Sequence, residues 1–133
     1  MPGSLDETWH YPAAWPLPNL WLGVTAEDQR RADERIPLLL QCPAAKRFVS
    51  YEPALGPVDL ERWMFRNDMS DDGARFPSGR LDLVICGPET GPGRRPMDPA
   101  WRDSLLSQCR DAGVPFFDKQ DRPDAVREFP KTI

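Results

Sequence analysis

The chain has 133 residues and a formal net charge of −4, with 40% hydrophobic and 29% charged residues. That balance is typical of one globular domain and excludes an intrinsically disordered protein. The negative charge argues against a protein that coats nucleic acid, because neutralising phosphates needs a surplus of Lys and Arg; a local basic patch stays possible. No apolar stretch approaches the roughly 20 residues that span a bilayer.

The cysteines indicate a reduced, metal-free chain. Cys42, Cys86 and Cys109 are far apart, no two form a CxxC pair, and the only histidine, His10, has no cysteine near it. We therefore expect no zinc, iron–sulfur or other cofactor in the isolated chain. The start of the chain lacks the basic region and apolar run of a signal peptide, which together with the free thiols favours a cytoplasmic location.

Residues 1–19 are predicted to form an extended lead that precedes the domain at 20–133. Pro12, Pro16 and Pro18 exclude a helix in this lead. Its aromatic residues are expected to fold back onto the domain; they are Trp9, Tyr11 and Trp15.

The first predicted helix follows the first apolar run and is marked by apolar residues at helical spacing, from Ala32 to Leu40. Thr25 with Asp28 resembles a capping box at its start, and Pro37 is expected to kink the helix or end it early.

Two more helices and a loop are predicted further along. Residues 58–64 could form a brief helix that buries Leu60, Trp63 and Met64, and the polar residues 66–80 indicate an exposed loop. The clearest helix is predicted at 99–111, because Asp98 is a good N-cap, Pro99 suits the first turn and Gly113 suits the residue past the end.

Four short apolar runs, near 20–25, 47–52, 81–87 and 115–119, are predicted to be strands. Their alternation with helices implies right-handed crossovers and a parallel sheet. Four strands are too few to close a barrel. We therefore predict an α/β fold, either a partial (βα) barrel or an open parallel sheet of about four βα units, whose edges need a cover such as the N-terminal lead.

Polar residues follow each predicted strand: Glu27, Glu52, Glu89, and Lys119 with Gln120. Because parallel strands end on the same side of a sheet, where ligands gather, we expect these residues to share one rim. Three carboxylates facing a lysine could supply acid–base groups, a metal site or a salt-bridged floor. Glu52, Glu89 and Lys119 are the candidate catalytic residues. In the alternative interpretation, Glu27 only begins a helix and Lys119 only neutralises the acids.

The loop at 87–96 is the strongest local signal. Its small residues let backbone amides approach an anion, and arginines follow them ahead of a helix N-terminus. We predict that Gly91, Gly93, Arg94 and Arg95 bind an anion together with Gln120. The alternative is a rigid turn that only orients the next helix.

Several ordered stretches resemble one family: uncharacterised phage-associated proteins that carry a three-cysteine motif and look like radical-SAM barrels. The stretches are 15–24, 32–39, 50–60, 87–97, 108–117 and 128–130. The resemblance runs from about residue 15 to the C-terminus and implies the C-terminal half of a barrel.

Two departures from that family change what the resemblance implies. None of the three cysteines stands where the family has its cluster, in an N-terminal half that has no counterpart here, so this chain is not expected to hold a [4Fe–4S] cluster or run radical chemistry alone. The family loop usually begins Gly-Gly-Glu, whereas Pro88 follows Gly87 here and removes one backbone donor.

Three functions follow from these patterns. The first is a stand-alone phage-type remnant that binds or inhibits a host protein, for example one that handles nucleic acid, by presenting carboxylates where phosphates would sit. It would work in the host cytoplasm without binding nucleic acid directly. The second is a subunit that completes a radical-SAM-like enzyme with a separate cluster-bearing chain. The third is a small phosphate- or metal-dependent enzyme that uses Glu52, Glu89, Arg94 and Lys119. Exposed sheet edges and five tryptophans further predict a homodimer or an obligate complex.

Overall fold

The fold is α/β, built on a four-stranded parallel sheet that alternates with helices, as the sequence predicts. The computed structural model describes residues 17–65 and 80–131. The strands are β1 (Trp21–Thr25), β2 (Lys46–Tyr51), β3 (Leu83–Cys86) and β4 (Phe116–Asp118), and they lie side by side in chain order. This strand order is that of an open parallel sheet or a partial (βα) barrel.

Helix α1 spans Gln29–Gln41 and follows β1. Its N-cap is Asp28, whose side chain accepts a hydrogen bond from the Arg31 amide at 3.0 Å. The capping box predicted from Thr25 is therefore wrong, because Thr25 is still the last residue of β1. Pro37 lies inside the helix and does not end it early, since the helix continues to Gln41 and buries Leu39 and Leu40 beyond the proline.

Helix α2 spans Pro99–Ala112 and ends as predicted. The Asp98 carboxylate accepts a hydrogen bond from the Ala100 amide at 2.9 Å, and Gly113 stops the helix in the left-handed conformation, with φ of 70°. The brief helix before β3 is a single 3₁₀ turn at Glu61–Trp63, and the three apolar residues around it that were expected to be buried are buried.

Among the described residues, one face of the sheet joins the main core and the other does not. The strand residues in that core are Val49, Tyr51, Val84, Cys86 and Phe116, and they pack with Ala32, Ile36, Leu105 and Cys109 of the two helices. We call this side the helix-side face.

The opposite side, which we call the helix-free face, carries Trp21, Phe48, Leu83, Ile85 and Phe117. None of these side chains belongs to the core that the described helices form, and all except Leu83 are only partly buried. The ring of Phe129, which is 63% exposed, lies 5.0 Å from the ring of Phe117 and extends this apolar surface.

The two outer edges of the sheet differ. Residues 126–128 run antiparallel along β4: the Asp118 amide donates to the Val126 carbonyl at 2.7 Å, and the Glu128 amide donates to the Phe116 carbonyl at 2.9 Å. Within the described ranges, no segment pairs with the outer edge of β1. Most of the predicted lead (residues 1–16 of 1–19) and most of the predicted loop (residues 66–79 of 66–80) lie outside the described residues.

No helix within residues 17–65 and 80–131 is long and apolar enough to cross a membrane.

Candidate functional site

The residues expected at the rim do follow the carboxyl ends of the strands. Glu52 follows β2, Gly87 and Glu89 follow β3, and Lys119 and Gln120 follow β4. Because all four strands are parallel, these positions share one side of the sheet.

Glu52 and Lys119 form an ion pair across the end of β3. Lys119 Nζ donates to Glu52 Oε2 at 2.9 Å, and the Ser50 hydroxyl donates to Glu52 Oε1 at 2.8 Å. Gly87 lies beside this pair, and a Cβ there would be in ordinary contact, at 3.4 Å, with both Glu52 Oε2 and Lys119 Cβ. Both side chains keep access to solvent, with 31% of Glu52 and 49% of Lys119 exposed.

Glu89 does not join that pair. Its carboxylate accepts two hydrogen bonds from the Arg95 guanidinium, one on each oxygen, with both N···O distances at 2.8 Å. It also accepts a hydrogen bond from the Arg95 backbone amide at 2.8 Å. These hydrogen bonds lower the pKa of Glu89 to about 2. The Glu89 carboxylate therefore occupies the Arg95 donors, which the sequence assigned to a bound anion.

Glu27, like Glu89, does not face Lys119, so the expected group of three carboxylates around one lysine does not form. The Glu27 carboxylate pairs with Arg35 of α1 at 3.1 Å, and Arg35 also donates to the Thr25 carbonyl at 2.8 Å. Of the three acids, only Glu52 has an ion pair with Lys119. The rim instead consists of separate ion pairs, because Glu27 and Glu89 each have an arginine nearby in the sequence that reaches the carboxylate.

The other residues of the predicted anion site are held by turns. Gly91 and Gly93 have positive φ values of 91° and 72°, which explains why glycine stands at both positions. The Arg94 guanidinium is exposed and donates to the Gly91 carbonyl at 3.3 Å. Gln120 follows Asp118 in a turn, where the backbone amide of Gln120 donates to the Asp118 carboxylate at 3.0 Å. Arg94 is thus the most accessible cation of the loop, while Arg95 is engaged by Glu89.

Sequence reasoning missed the buried charge pair beneath the rim. Asp118, the last residue of β4, is fully buried and accepts a hydrogen bond from Arg102 Nε at 2.9 Å; the Arg102 side chain is only 5% exposed. Arg102 also donates to the Asp124 carbonyl at 3.1 Å and so fixes the segment after β4. The signal in the sequence was an acidic residue, Asp118, at the end of an apolar strand. A carboxylate at such a position is buried and needs a partner.

The described thiols offer no ready nucleophile in the core. Burial raises the pKa of both Cys86 and Cys109 to about 12, so both stay protonated at neutral pH. Cys42 is exposed at the end of α1, whereas Cys86 and Cys109 are buried. Within residues 17–65 and 80–131, no group of three or more His, Cys, Asp or Glu side chains could hold a metal ion.

Comparison with known proteins identifies the family. Residues 2–128 match the family described as "Protein of unknown function (DUF5131)". The chain belongs to this family. No curated protein and no solved structure matches the chain. The description of the DUF5131 family names no activity, and the kinship with three-cysteine-motif phage proteins stays a prediction.

Proposed function

We propose that this DUF5131 chain acts by binding another protein through the helix-free face of its sheet, and that it does not catalyse a reaction on its own. The observation that carries the proposal is the apolar character of that face. Phe48, Ile85 and Phe117 lie outside the core formed with the helices, and Phe129 adds an aromatic ring that is 63% exposed. Parallel strands are ordinarily covered on both faces, so this surface favours a protein partner.

The rim supports the same proposal because its carboxylates are not free to act as catalytic groups. A catalytic acid or base needs a side chain that is free to exchange a proton with a substrate. Here Glu52, Glu89 and Glu27 each have a cationic partner within 3.1 Å. The same pairing weakens the idea that the rim imitates the phosphates of a nucleic acid, since its negative charges are compensated. We therefore assign the partner contact to the helix-free face.

The partner is proposed to be a host protein, in keeping with the resemblance to phage-associated proteins. In a barrel, the face away from the helices is the interior, which side chains fill. The four described strands form only part of such a wall, and the described residues do not fill its inner face. An apolar surface of another protein would replace the missing side chains.

Affinity capture from a host lysate tests this proposal with two matched variants. Phe129→Ser removes an exposed apolar residue beside the helix-free face, and Leu38→Ser removes an equally exposed one, also 63%, from α1. We expect the wild type and Leu38→Ser to retain the same stoichiometric partner and Phe129→Ser to lose at least about tenfold in affinity, as for a contact near the centre of an interface. Absence of a stoichiometric partner, or equal capture by both variants, would contradict the proposal.

A second function is favoured by a separate observation, the open edge of β1. In a wall built in chain order, strands that precede β1 would add at this edge, whereas the β4 edge is already taken by residues 126–128. A separate cluster-bearing chain could supply those strands and complete a radical-SAM-like enzyme. Anaerobic reconstitution of the two chains, followed by an assay for S-adenosylmethionine cleavage, tests it. Cleavage that needs both chains supports this function, and failure of the chains to co-elute contradicts it.

A further inference from the structure

We infer that the outer edge of β1 pairs antiparallel with the same edge of a second copy of this chain. The twofold axis would pass midway between the two copies of Gly23, and the two sheets would join into one sheet of eight strands. This surface is distinct from the helix-free face, so the inference does not depend on the partner proposed above. In such a dimer both helix-free faces lie on the same side, because a twofold axis normal to a sheet leaves its faces unchanged.

The direction of the backbone groups along β1 supports this pairing. The amide of Ala26, the residue after β1, donates to the Ser50 carbonyl of β2 at 2.9 Å. Because successive residues of a strand point their amides to opposite sides, Leu22 and Val24 also face β2. The N–H and C=O groups of Trp21, Gly23 and Thr25 therefore point outward, where no described strand receives them.

The outward groups match one another about a twofold axis. With Gly23 opposite Gly23 of the second copy, Trp21 lies opposite Thr25 and Thr25 opposite Trp21, and each of these is a hydrogen-bonded pair of an antiparallel ladder. The Thr25 carbonyl already accepts one hydrogen bond, from Arg35, and keeps a second lone pair for the partner amide.

The side chains of β1 allow this approach. The strand has the sequence WLGVT, with no charged residue and no proline. It therefore lacks the features with which proteins ordinarily block an exposed edge, and no like charges would meet across the axis. The ring of Phe48 explains the glycine at the midpoint, since a Cβ on Gly23 would approach ring atoms to 2.3 Å on the helix-free face.

Light scattering on the full chain tests the inference with two variants at one position. Thr25→Pro removes an outward amide and leaves the hydrogen bonds to β2 intact, because proline is tolerated where the N–H faces away from the sheet. Thr25→Val keeps that amide and loses only the hydroxyl contact with Arg35. We expect the wild type and Thr25→Val to have a mass of about 30 kDa, twice the 15.1 kDa chain, at micromolar concentration, and Thr25→Pro to have the mass of one chain. A wild-type monomer, or a Thr25→Pro dimer, overturns the inference.

Amide hydrogen exchange of the wild type provides a measurement that does not depend on the folding of a variant. The amides of Trp21, Gly23 and Thr25 should exchange at least about tenfold faster when the protein is diluted below its dimerisation range, whereas those of Leu22 and Val24 should not change. Protection of the outward amides that is independent of concentration would mean that the same chain covers the edge, and it would overturn the inference. Rapid exchange at every concentration would also overturn it.

Discussion

The two outer edges of the sheet differ in how they are covered, although both are formed by short parallel strands, β1 and β4. The β4 edge is closed by residues 126–128, and side chains from three segments hold this closure: Arg102 reaches Asp118 and the Asp124 carbonyl, and Arg110 pairs with Glu128 at 2.6 Å. At the β1 edge the described structure provides one comparable contact, from Arg35 to the Thr25 carbonyl.

This difference shows how a short chain protects a parallel sheet. Closing the β4 edge uses the C-terminal segment and a fully buried ion pair, so the closure is part of the folded core. The β1 edge has no equivalent buried anchor among the described residues. We therefore expect substitutions on the β4 side to destabilise the domain, and those on the β1 side to change association while leaving stability nearly unchanged.

The largest expected effect comes from the buried pair. Arg102→Met leaves the fully buried Asp118 carboxylate without its cation and should lower the free energy of unfolding by about 3–5 kcal/mol. Urea denaturation measures the loss. The double variant Arg102→Met/Asp118→Leu should recover most of it, because no charge is then left buried. Arg30→Met, which breaks an exposed pair with Glu34, is the control and should change stability by less than about 0.5 kcal/mol. A loss of under about 1 kcal/mol for Arg102→Met would remove the distinction between the edges.

A smaller effect is expected where Glu128 fixes the closing segment. Its carboxylate accepts the Phe116 amide at 3.1 Å and pairs with Arg110, and the hydrogen bond from Arg110 is the main reason that the pKa of Glu128 lies below its ordinary value. Glu128→Gln keeps an acceptor for the amide and removes the charge, so we expect a loss of about 0.5–1 kcal/mol at pH 7.

The pH dependence of the same variant checks this explanation. Because the folded pKa of Glu128 is depressed, its contribution is complete above the unfolded pKa of about 4.3 and is lost as the pH falls through the lower folded value. Urea denaturation at neutral and acid pH should therefore show the wild type and Glu128→Gln converging in acid. A difference that stays constant with pH would assign the effect to packing and not to charge.

The strands and the clearest helix were predictable because their signals are local. Hydrophobic runs bounded by Gly and Pro place a strand within one or two residues, and Asp98, Pro99 and Gly113 set the limits of α2 through contacts within the same few residues. The cap of α1 was misplaced by three residues, because both Thr25 and Asp28 are good capping residues and only the end of β1 decides between them.

The charge pairs of the rim were much less predictable. Strand order brings Glu52 and Lys119 together, 67 residues apart, which the parallel-sheet argument anticipated as a shared rim. The same argument failed for Glu89, because it ignored Arg95, six residues further along the same loop. Arg95 contacts the Glu89 carboxylate through the local loop conformation alone. Nearby cations compete with distant ones, and a pattern of strand ends alone does not reveal which cation binds.

Comparing the rim pairs on the two sides of the sheet gives a finer test. Because the Glu52 carboxylate also accepts the Ser50 hydroxyl, we expect Glu52→Gln to lower stability by about 0.5–1 kcal/mol. It removes one charge from the pair that links the ends of β2 and β4. Glu27→Gln does the same beside β1 and should cost about 0–0.5 kcal/mol. Thermal melting of both variants measures the order. If Glu27→Gln is the more destabilising of the two, the β1 side is more tightly built than we infer.

The smallest effect is expected at Glu89, whose contacts stay within the loop after β3 and reach neither edge. The pKa of Glu89 is about 2 because Arg95 donates to its carboxylate, so an NMR pH titration should show this carboxyl ionised throughout the ordinary acid range. Arg95→Met should return the pKa most of the way to the ordinary value of about 4.3, while the melting temperature at pH 7 stays unchanged. The remaining backbone contact, from the residue 95 amide, should keep the value slightly low. A titration near 4.3 in the wild type would mean that the Glu89–Arg95 pair is open in solution, and Arg95 would then be available to an anion.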